Sequence, residues 1–207
     1  MTTFKAKKPV AALVLAHGAG AGQKSAWIVK AAQALADRGI TTVTFDFPYI
    51  TAGRKVPDRA PVLEAHWREV VDQALEKFTD LPLFIGGKSM GGRIATHIAA
   101  QDEVAGVSGV VLLGYPLHPP GQPEKRRDAH LRDVRVPMLF VQGSNDTFGN
   151  EAEMSALMPF LQKATLHVIW GGDHSFKVKG GATAVDKAFE GAIETVTGWA
   201  KSLIVDR

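Results

Sequence analysis

Six short, almost unbroken apolar segments, 9–16, 41–45, 81–85, 107–113, 136–141 and 164–170, most constrain what this chain can fold into. A strand with one wet face alternates apolar and polar residues, whereas a strand covered on both faces need not. These segments therefore read as strands of a parallel sheet held between two layers. The stretches between them carry helical periodicity. Trp27, Ala31, Leu35 and Arg38 recur about four residues apart and run into Gly39, a suitable helix stop. Leu63, Trp67, Val70, Val71, Ala74 and Phe78 mark one face of a second helix with Pro61 near its first turn. A third helix is expected over 90–100, and a fourth starts near Glu151 and ends or kinks around Pro159. A fifth spans 184–203, with Val185, Phe189, Ile193, Val196 and Ala200 on one face. Strand then helix, repeated, predicts an α/β fold of about six mostly parallel strands with helices on both faces.

At 207 residues the chain is long enough for one domain with a sizeable core, and a single domain is expected over 1–207. The stretch 117–135, with Pro119, Pro120 and Pro123 before a charge cluster, reads as an elaborated crossover, because another buried strand follows it at once. A composition of 45% hydrophobic and 22% charged residues is that of an ordinary globular protein. The net charge of +3 is small and scattered, which argues against a nucleic-acid partner; that would need a concentrated basic stripe. No apolar run approaches the roughly 20 residues of a membrane span. The absence of cysteine excludes disulfides, thiolate nucleophiles and cysteine metal sites. Lys5, Lys7 and Lys8 before an apolar run resemble a signal peptide, but that run ends in His17-Gly18-Ala19-Gly20 rather than a cleavage site. It reads instead as the first core strand of a cytoplasmic protein whose partner is a small molecule. On oligomeric state the sequence is silent.

Chemistry concentrates at Gly87-Lys88-Ser89-Met90-Gly91, where a buried strand runs into G-x-S-x-G and then a helix. A nucleophilic serine there sits on a tight, strained turn with its Oγ exposed, and side chains at Gly87 or Gly91 would strike the neighbouring strand and helix. The helix beneath offers the Met90 N–H and a positive dipole end to an oxyanion. Gly87-Lys88-Ser89 also matches the tail of a phosphate-binding loop, but the first glycine of that pattern would have to stand where Pro82 does.

A serine at such a turn needs an acid and a histidine, in that order, past later strands. Gln142-Gly143-Ser144-Asn145-Asp146 follows the fifth apolar run, and Gly171-Gly172-Asp173-His174 follows the sixth. Ser89, Asp146 and His174 are therefore the candidate nucleophile, acid and base, all at strand C-termini, where open sheets place their sites. Asp146 could alternatively close a turn or cap a helix, a task that Asn145 or Asn150 can take instead. Asp173 is the second candidate acid, ranked lower because neighbouring loop residues point apart. His66, His97 and His167 fall within elements and read as packing or surface residues. His118 and His130 lie on the crossover near the expected mouth, and His118 is a candidate substrate contact. No pair of residues has metal-ligand spacing, and no metal or cofactor is expected.

His17-Gly18-Ala19-Gly20-Ala21-Gly22 follows the first strand and could pass for a dinucleotide fingerprint ending at Asp46. Gln23 and Ser25 stand where either register needs glycine, and Asp46 lies 28 residues beyond Gly18 (46 − 18), later than the usual spacing of about 20. A small-residue turn that brings the Ala19 N–H beside the Met90 N–H as an oxyanion hole accounts for the segment better.

Taken together, His17 to Gly20, Phe45 to Tyr49, Gly86 to Arg93, Gly114 to Pro120, Val141 to Gly149 and Gly171 to Phe176 resemble the α/β-hydrolase superfamily, in its small, cap-less, dienelactone-hydrolase-like branch. They look especially like bacterial predicted hydrolases related to a testis-expressed protein and to the hydrolase-like domain of a chromatin-complex subunit. The resemblance implies a Ser-His-Asp site at the residues above, acting without a cofactor on a carboxylic ester or related acyl substrate. Thioester hydrolysis or acyl transfer on the same triad, and a non-catalytic binding or scaffold role, are the alternatives. Only 57 residues separate Ser89 from Asp146 (146 − 89), which leaves no room for a cap. The chain starts almost at the strand before the oxyanion turn, so the usual leading hairpin is expected to be missing. Lys88 beside the nucleophile suggests an open, shallow site for a small or polar acyl group. Pro48, Tyr49, Tyr115, Phe148 and Trp170 are the expected lining, with His118 at the mouth.

Overall fold

The alternation legible in the sequence is the one the chain forms. A computed structural model describes residues 1–101 and 104–205; residues 102–103 and 206–207 of the predicted domain lie outside the described residues. In chain order the elements are strands β1 (Thr2–Phe4) and β2 (Ala11–Ala16), helix α1 (Ala26–Asp37), β3 (Ile40–Phe45), α2 (Pro48–Thr51) and α3 (Ala60–Lys77). Then come β4 (Leu83–Lys88), α4 (Met90–Gln101), β5 (Val107–Leu113), β6 (Met138–Gly143), α5 (Glu151–Leu157), β7 (Ala164–Ile169) and α6 (Gly181–Val205). Among the described residues the sheet has seven strands in the order β1-β3-β2-β4-β5-β6-β7. All neighbours pair parallel except β1 with β3.

Both faces of the sheet are apolar because both are covered. Along β2, Ala12, Val14 and Ala16 join a core with Trp67 and Ile94 of α3 and α4, whereas Ala11, Leu13 and Leu15 join one with Ile28 and Leu35 of α1 and Ile193 of α6. Successive side chains point to opposite faces, so an unbroken apolar run fills two cores at once. Each fully buried large side chain contributes roughly 1.5–3 kcal/mol relative to exposure. Pro61 stands in the first turn of α3, Gly39 takes φ +96° after α1, and α5 gives way to a 3-10 turn at Met158–Phe160, which holds Pro159.

The structure differs from the sequence reading in the strand count and in several element boundaries. Among the described residues the strand count is seven rather than six: β1 is three residues long and two of them are threonine, so no apolar run announces it, and it supplies an extra leading strand at the sheet edge. β4 extends to Lys88, not 85, because Gly86 and Gly87 contribute backbone pairing without apolar side chains. Strand β6 starts at Met138, two residues late, since Pro137 has no N–H to donate to a ladder. Between β5 and β6 the crossover holds only a 3-10 turn, Ala129–Asp133, and no cap domain. No described helix is long and apolar enough to cross a membrane.

Candidate active site

Five parallel strands end around one cleft of about 610 Å³. β4 stops at Lys88, and Ser89 turns the chain into α4 with φ +52°, a left-handed conformation that strains a serine. Crowding makes the neighbouring glycines obligatory. A Cβ at Gly87 would stand 2.6 Å from the Ala16 carbonyl, and one at Gly91 would stand 2.6 Å from the His17 carbonyl. The Trp67 indole N–H donates to the Gly91 carbonyl at 3.2 Å and locks α3 onto this turn.

The three residues singled out from the sequence meet here. His174 Nε2 lies 2.8 Å from Ser89 Oγ, and His174 Nδ1 lies 2.7 Å from Asp146 Oδ2. Asp146 is 2% exposed, and its other oxygen accepts the Phe148 N–H at 2.8 Å. Gln142, fully buried at the end of β6, donates its amide to Asp146 Oδ2 (2.8 Å) and accepts the Tyr115 N–H (2.7 Å). It fixes the carboxylate, and sequence reasoning passes over it; its only signal is a polar residue at the end of a buried strand, four positions before the acid. Asp173, the second candidate acid, accepts from the Ser175 and Lys177 N–H groups and closes its own loop instead. Asn150 caps α5 in a capping box with Glu153, which frees Asp146 of that duty.

Ala19 and Met90 both line the cleft beside Ser89. Met90 opens α4, so its N–H lacks an intrahelical acceptor and lies at the positive end of the helix dipole. The turn carrying Ala19 is held from beneath. His17 Nδ1–H donates to the Gly18 carbonyl at 2.8 Å while Nε2 accepts the Phe47 N–H at 3.3 Å, and burial lowers the pKa of this ring, favouring the neutral form. The Tyr49 hydroxyl accepts the Gly20 N–H at 3.2 Å, and Asp46 accepts the Gln23 backbone and side-chain N–H groups at 2.7 and 2.9 Å. Asp46 thus anchors the end of this loop to β3.

Of the expected substrate contacts, Phe148 lines the cleft, its ring centroid 4.2 Å from that of His174. The other placements are corrected by packing. Tyr49 is wholly buried under the Ala19 turn. Tyr115 is buried with its hydroxyl donating to the Arg127 carbonyl at 2.6 Å. Burial pushes the Tyr115 hydroxyl far up, so it stays protonated. His118 is 5% exposed and spans the Pro119 carbonyl (2.8 Å) and Glu153 (2.9 Å), tying the crossover to α5. Trp170 is 73% exposed and Pro48 starts α2; neither stands among the described residues around Ser89. All six lie in segments that follow strands, but only Phe148 lines the cleft. The remaining histidines pack as expected: His66 against Asp46, His97 against Glu64, and His167 against Thr195. His130 meets Thr96 Oγ1 at 2.8 Å, beneath the crossover.

Lys88 is the unexpected neighbour. Only 8% exposed, it sends its ammonium to the His174 carbonyl at 2.5 Å, with the Trp27 ring centroid 5.8 Å away. Burial lowers its pKa from 10.5 to about 8, against the attraction of Asp146 and Asp173. Arg93 and Arg127 also line the cleft, as does Asp58, and sequence reasoning singles out none of the three.

Comparison with known proteins agrees with this architecture. A family model described as an alpha/beta hydrolase domain matches residues 9–201. Among solved structures, the esterase domain of a Rhodothermus marinus protein superposes with a TM-score of 0.71 at 15% identity, covering 98% of this chain and 92% of its own. An alpha-beta serine hydrolase homologue from Coxiella burnetii gives 0.75 at 16% identity, covering 94% and 89%. Dienelactone hydrolase from Anabaena variabilis gives 0.73 at 20%, covering 95% and 88%. At these identities the likeness is one of fold.

Proposed function

The chain belongs to the α/β-hydrolase family, and we propose that it is a serine hydrolase of a carboxylic ester or related acyl substrate. Ser89 Oγ attacks the acyl carbon while His174 Nε2 takes its proton. The resulting oxyanion accepts the Ala19 and Met90 N–H groups. His174 then gives its proton to the departing alcohol oxygen, which leaves Ser89 acylated. Water, activated by the same ring, releases the carboxylic acid and restores Ser89. Asp146 holds the Nδ1–H tautomer of His174 and stabilises the imidazolium. This sequence of proton transfers needs no cofactor.

One observation carries the reading: the two hydrogen bonds in series, 2.8 Å from Ser89 Oγ to His174 Nε2 and 2.7 Å from His174 Nδ1 to Asp146. A histidine bonded at both nitrogens between a strained serine and a buried carboxylate is oriented for proton transfer. The structural relatives named for esterase and dienelactone hydrolase activity agree with acyl chemistry. A fluorophosphonate probe is expected to label the folded protein at Ser89 and nowhere else. Ser89→Ala should abolish both labelling and ester turnover. Turnover that survives in the variant, or a folded wild type that takes no label, refutes the proposal.

A further inference from the structure

Among the described residues only two other than glycine hold a left-handed backbone, Ser89 at φ +52° and Phe176 at φ +66°. The proposed hydrolysis accounts for the first and not for the second. A bulky aromatic residue is an outlier in that region, and such strain persists only where its surroundings impose it. Phe176 stands two residues past His174, on the segment that brings the imidazole to Ser89.

The backbone of that segment is closed on itself. The Asp173 N–H donates to the Lys177 carbonyl and the Phe176 N–H to the Asp173 carbonyl, both at 3.0 Å. The Asp173 carboxylate accepts the Ser175 and Lys177 N–H groups at 2.7 and 3.0 Å. The start of the turn rests on the end of β6. There the Asn145 N–H donates to the Gly172 carbonyl at 2.9 Å, and a side chain at Gly143 would strike the Gly172 and Asp173 carbonyls.

Phe176 ties the far end of the turn to the core. It is 1% exposed and joins Leu15 and Leu113 of the sheet, Ile28 of α1 and Ile193 of α6. Its ring centroid lies 6.0 Å from that of Trp27, which lines the cleft. In an extended chain residues two apart point the same way. A straight segment would therefore send both rings toward Ser89 or both into the core, and the left-handed residue separates them. Burying a phenyl ring outweighs the cost of one left-handed residue, so the anchor sustains the strain.

We infer that the Asp173–Phe176 turn is the positioning device of His174: the Asp173 carboxylate closes it and the Phe176 ring anchors it, which keeps the imidazole within reach of Ser89. Neither residue stands among the described residues lining the cleft, and both act through His174. This rests on the serine-hydrolase reading above and adds two positioning residues to it.

Steady-state turnover of 4-nitrophenyl acetate and the rate of fluorophosphonate labelling at Ser89 test it. Acylation and deacylation both use the imidazole, so a displaced ring slows both and leaves KM nearly unchanged. In Asp173→Ala and in Phe176→Ala, kcat and the labelling rate should fall together by about 10- to 100-fold, the scale of an ångström of misplacement, with KM within about threefold of wild type. Asp173→Asn, whose amide oxygen still accepts, and Phe176→Leu, which still fills the core, should recover part of the loss. Phe176→Gly relieves the left-handed strain and should melt above Phe176→Ala, yet be equally slow. In a His174→Ala background Asp173→Ala should change the residual turnover by less than about twofold, because a turn cannot position an absent ring. Where Phe176→Ala fails to fold, Asp173→Ala, which leaves the core intact, carries the test.

A folded Asp173→Ala that keeps kcat within about twofold of an active wild type overturns the inference. So does an equal loss with and without His174, or a Phe176→Gly variant as fast as wild type. A folded wild type that neither takes the label nor turns over the ester refutes the hydrolase reading itself, and this inference falls with it.

Discussion

Replacing Lys88 with methionine should stabilise the protein at neutral pH and impair it as a catalyst. Lys88 is buried, and burial drags its pKa from 10.5 to about 8. In the unfolded chain the ammonium is solvated and keeps the ordinary value. Between about pH 8 and 10.5 the unfolded state therefore binds more protons than the folded one, so stability rises with pH across that window. Below it, the full cost of burying the charge applies. At about 1.4 kcal/mol per unit that cost is roughly 3 kcal/mol at pH 7 and under about 1 kcal/mol at pH 10. Lys88→Met removes the charge at nearly constant volume, and with it this cost. It also removes the donor to the His174 carbonyl, a charged hydrogen bond that contributes about 1.5–3 kcal/mol. The net gain at pH 7 is thus small, on the order of 1 kcal/mol, and the pH dependence is the sharper observable.

Urea denaturation of both proteins at pH 7 and pH 10 measures it. The stability of the variant minus that of wild type should fall by about 2–3 kcal/mol between the two conditions. Activity should move the other way: the His174 loop loses its tether, and kcat at pH 7 should drop by about tenfold, the scale of one charged hydrogen bond. A stability difference that stays constant within about 0.5 kcal/mol from pH 7 to pH 10 would show that Lys88 carries no burial penalty, and the account of this residue would be wrong.

Two further perturbations probe the site. Asp146→Asn should keep the fold while lowering kcat by about 10⁴, since the amide favours the wrong histidine tautomer; steady-state kinetics with an activated ester, beside a circular-dichroism melt, separates the two effects. Gly91→Ala places a methyl 2.6 Å from the His17 carbonyl and 2.8 Å from Ala16, contacts that backbone must move to relieve. It should cost about 3 kcal/mol or more, read as a fall in Tm of several degrees, with Ser89 labelling lost in the fraction that folds.

Much of the fold and of the Ser89–His174–Asp146 cluster is legible in the amino-acid sequence. Period-2 side-chain direction with both faces covered produces unbroken apolar runs, and those runs locate every parallel strand to within two or three residues. The Ser89 turn is legible because steric crowding permits so few residues at Gly87 and Gly91. What the sequence does not carry is side-chain direction. Tyr49, Tyr115 and His118 stand at strand ends, as a substrate contact should, yet each turns inward to hold a loop: Tyr49 the Ala19 turn, Tyr115 the Arg127 segment, His118 the start of α5. A loop's local dihedrals decide such choices, and no periodicity encodes them. Conversely, Arg93 reads in sequence as an ordinary helical residue. Its place in the cleft lining, tied through His97 to Glu64, comes from a helix turn and a long-range packing contact.

The costs in this site fall on adjacent residues, and that adjacency has a physical reason. Ser89 is strained because the chain must reverse sharply to expose Oγ at the end of β4. The same reversal leaves Lys88 as the last residue of a strand covered on both faces, with its side chain confined beneath the His174 loop. A small residue at 88 would relieve the burial but leave the His174 carbonyl without its donor. The His174 ring would keep its bonds to Asp146 and Ser89 and its contact with Phe148, but its backbone would lose this tether. With Lys88 in place the histidine is held from both sides, its ring by the carboxylate and its backbone by the ammonium. Two packed cores offset both penalties, which is why the strained turn sits where α3, α4 and five strands converge rather than at the sheet edge.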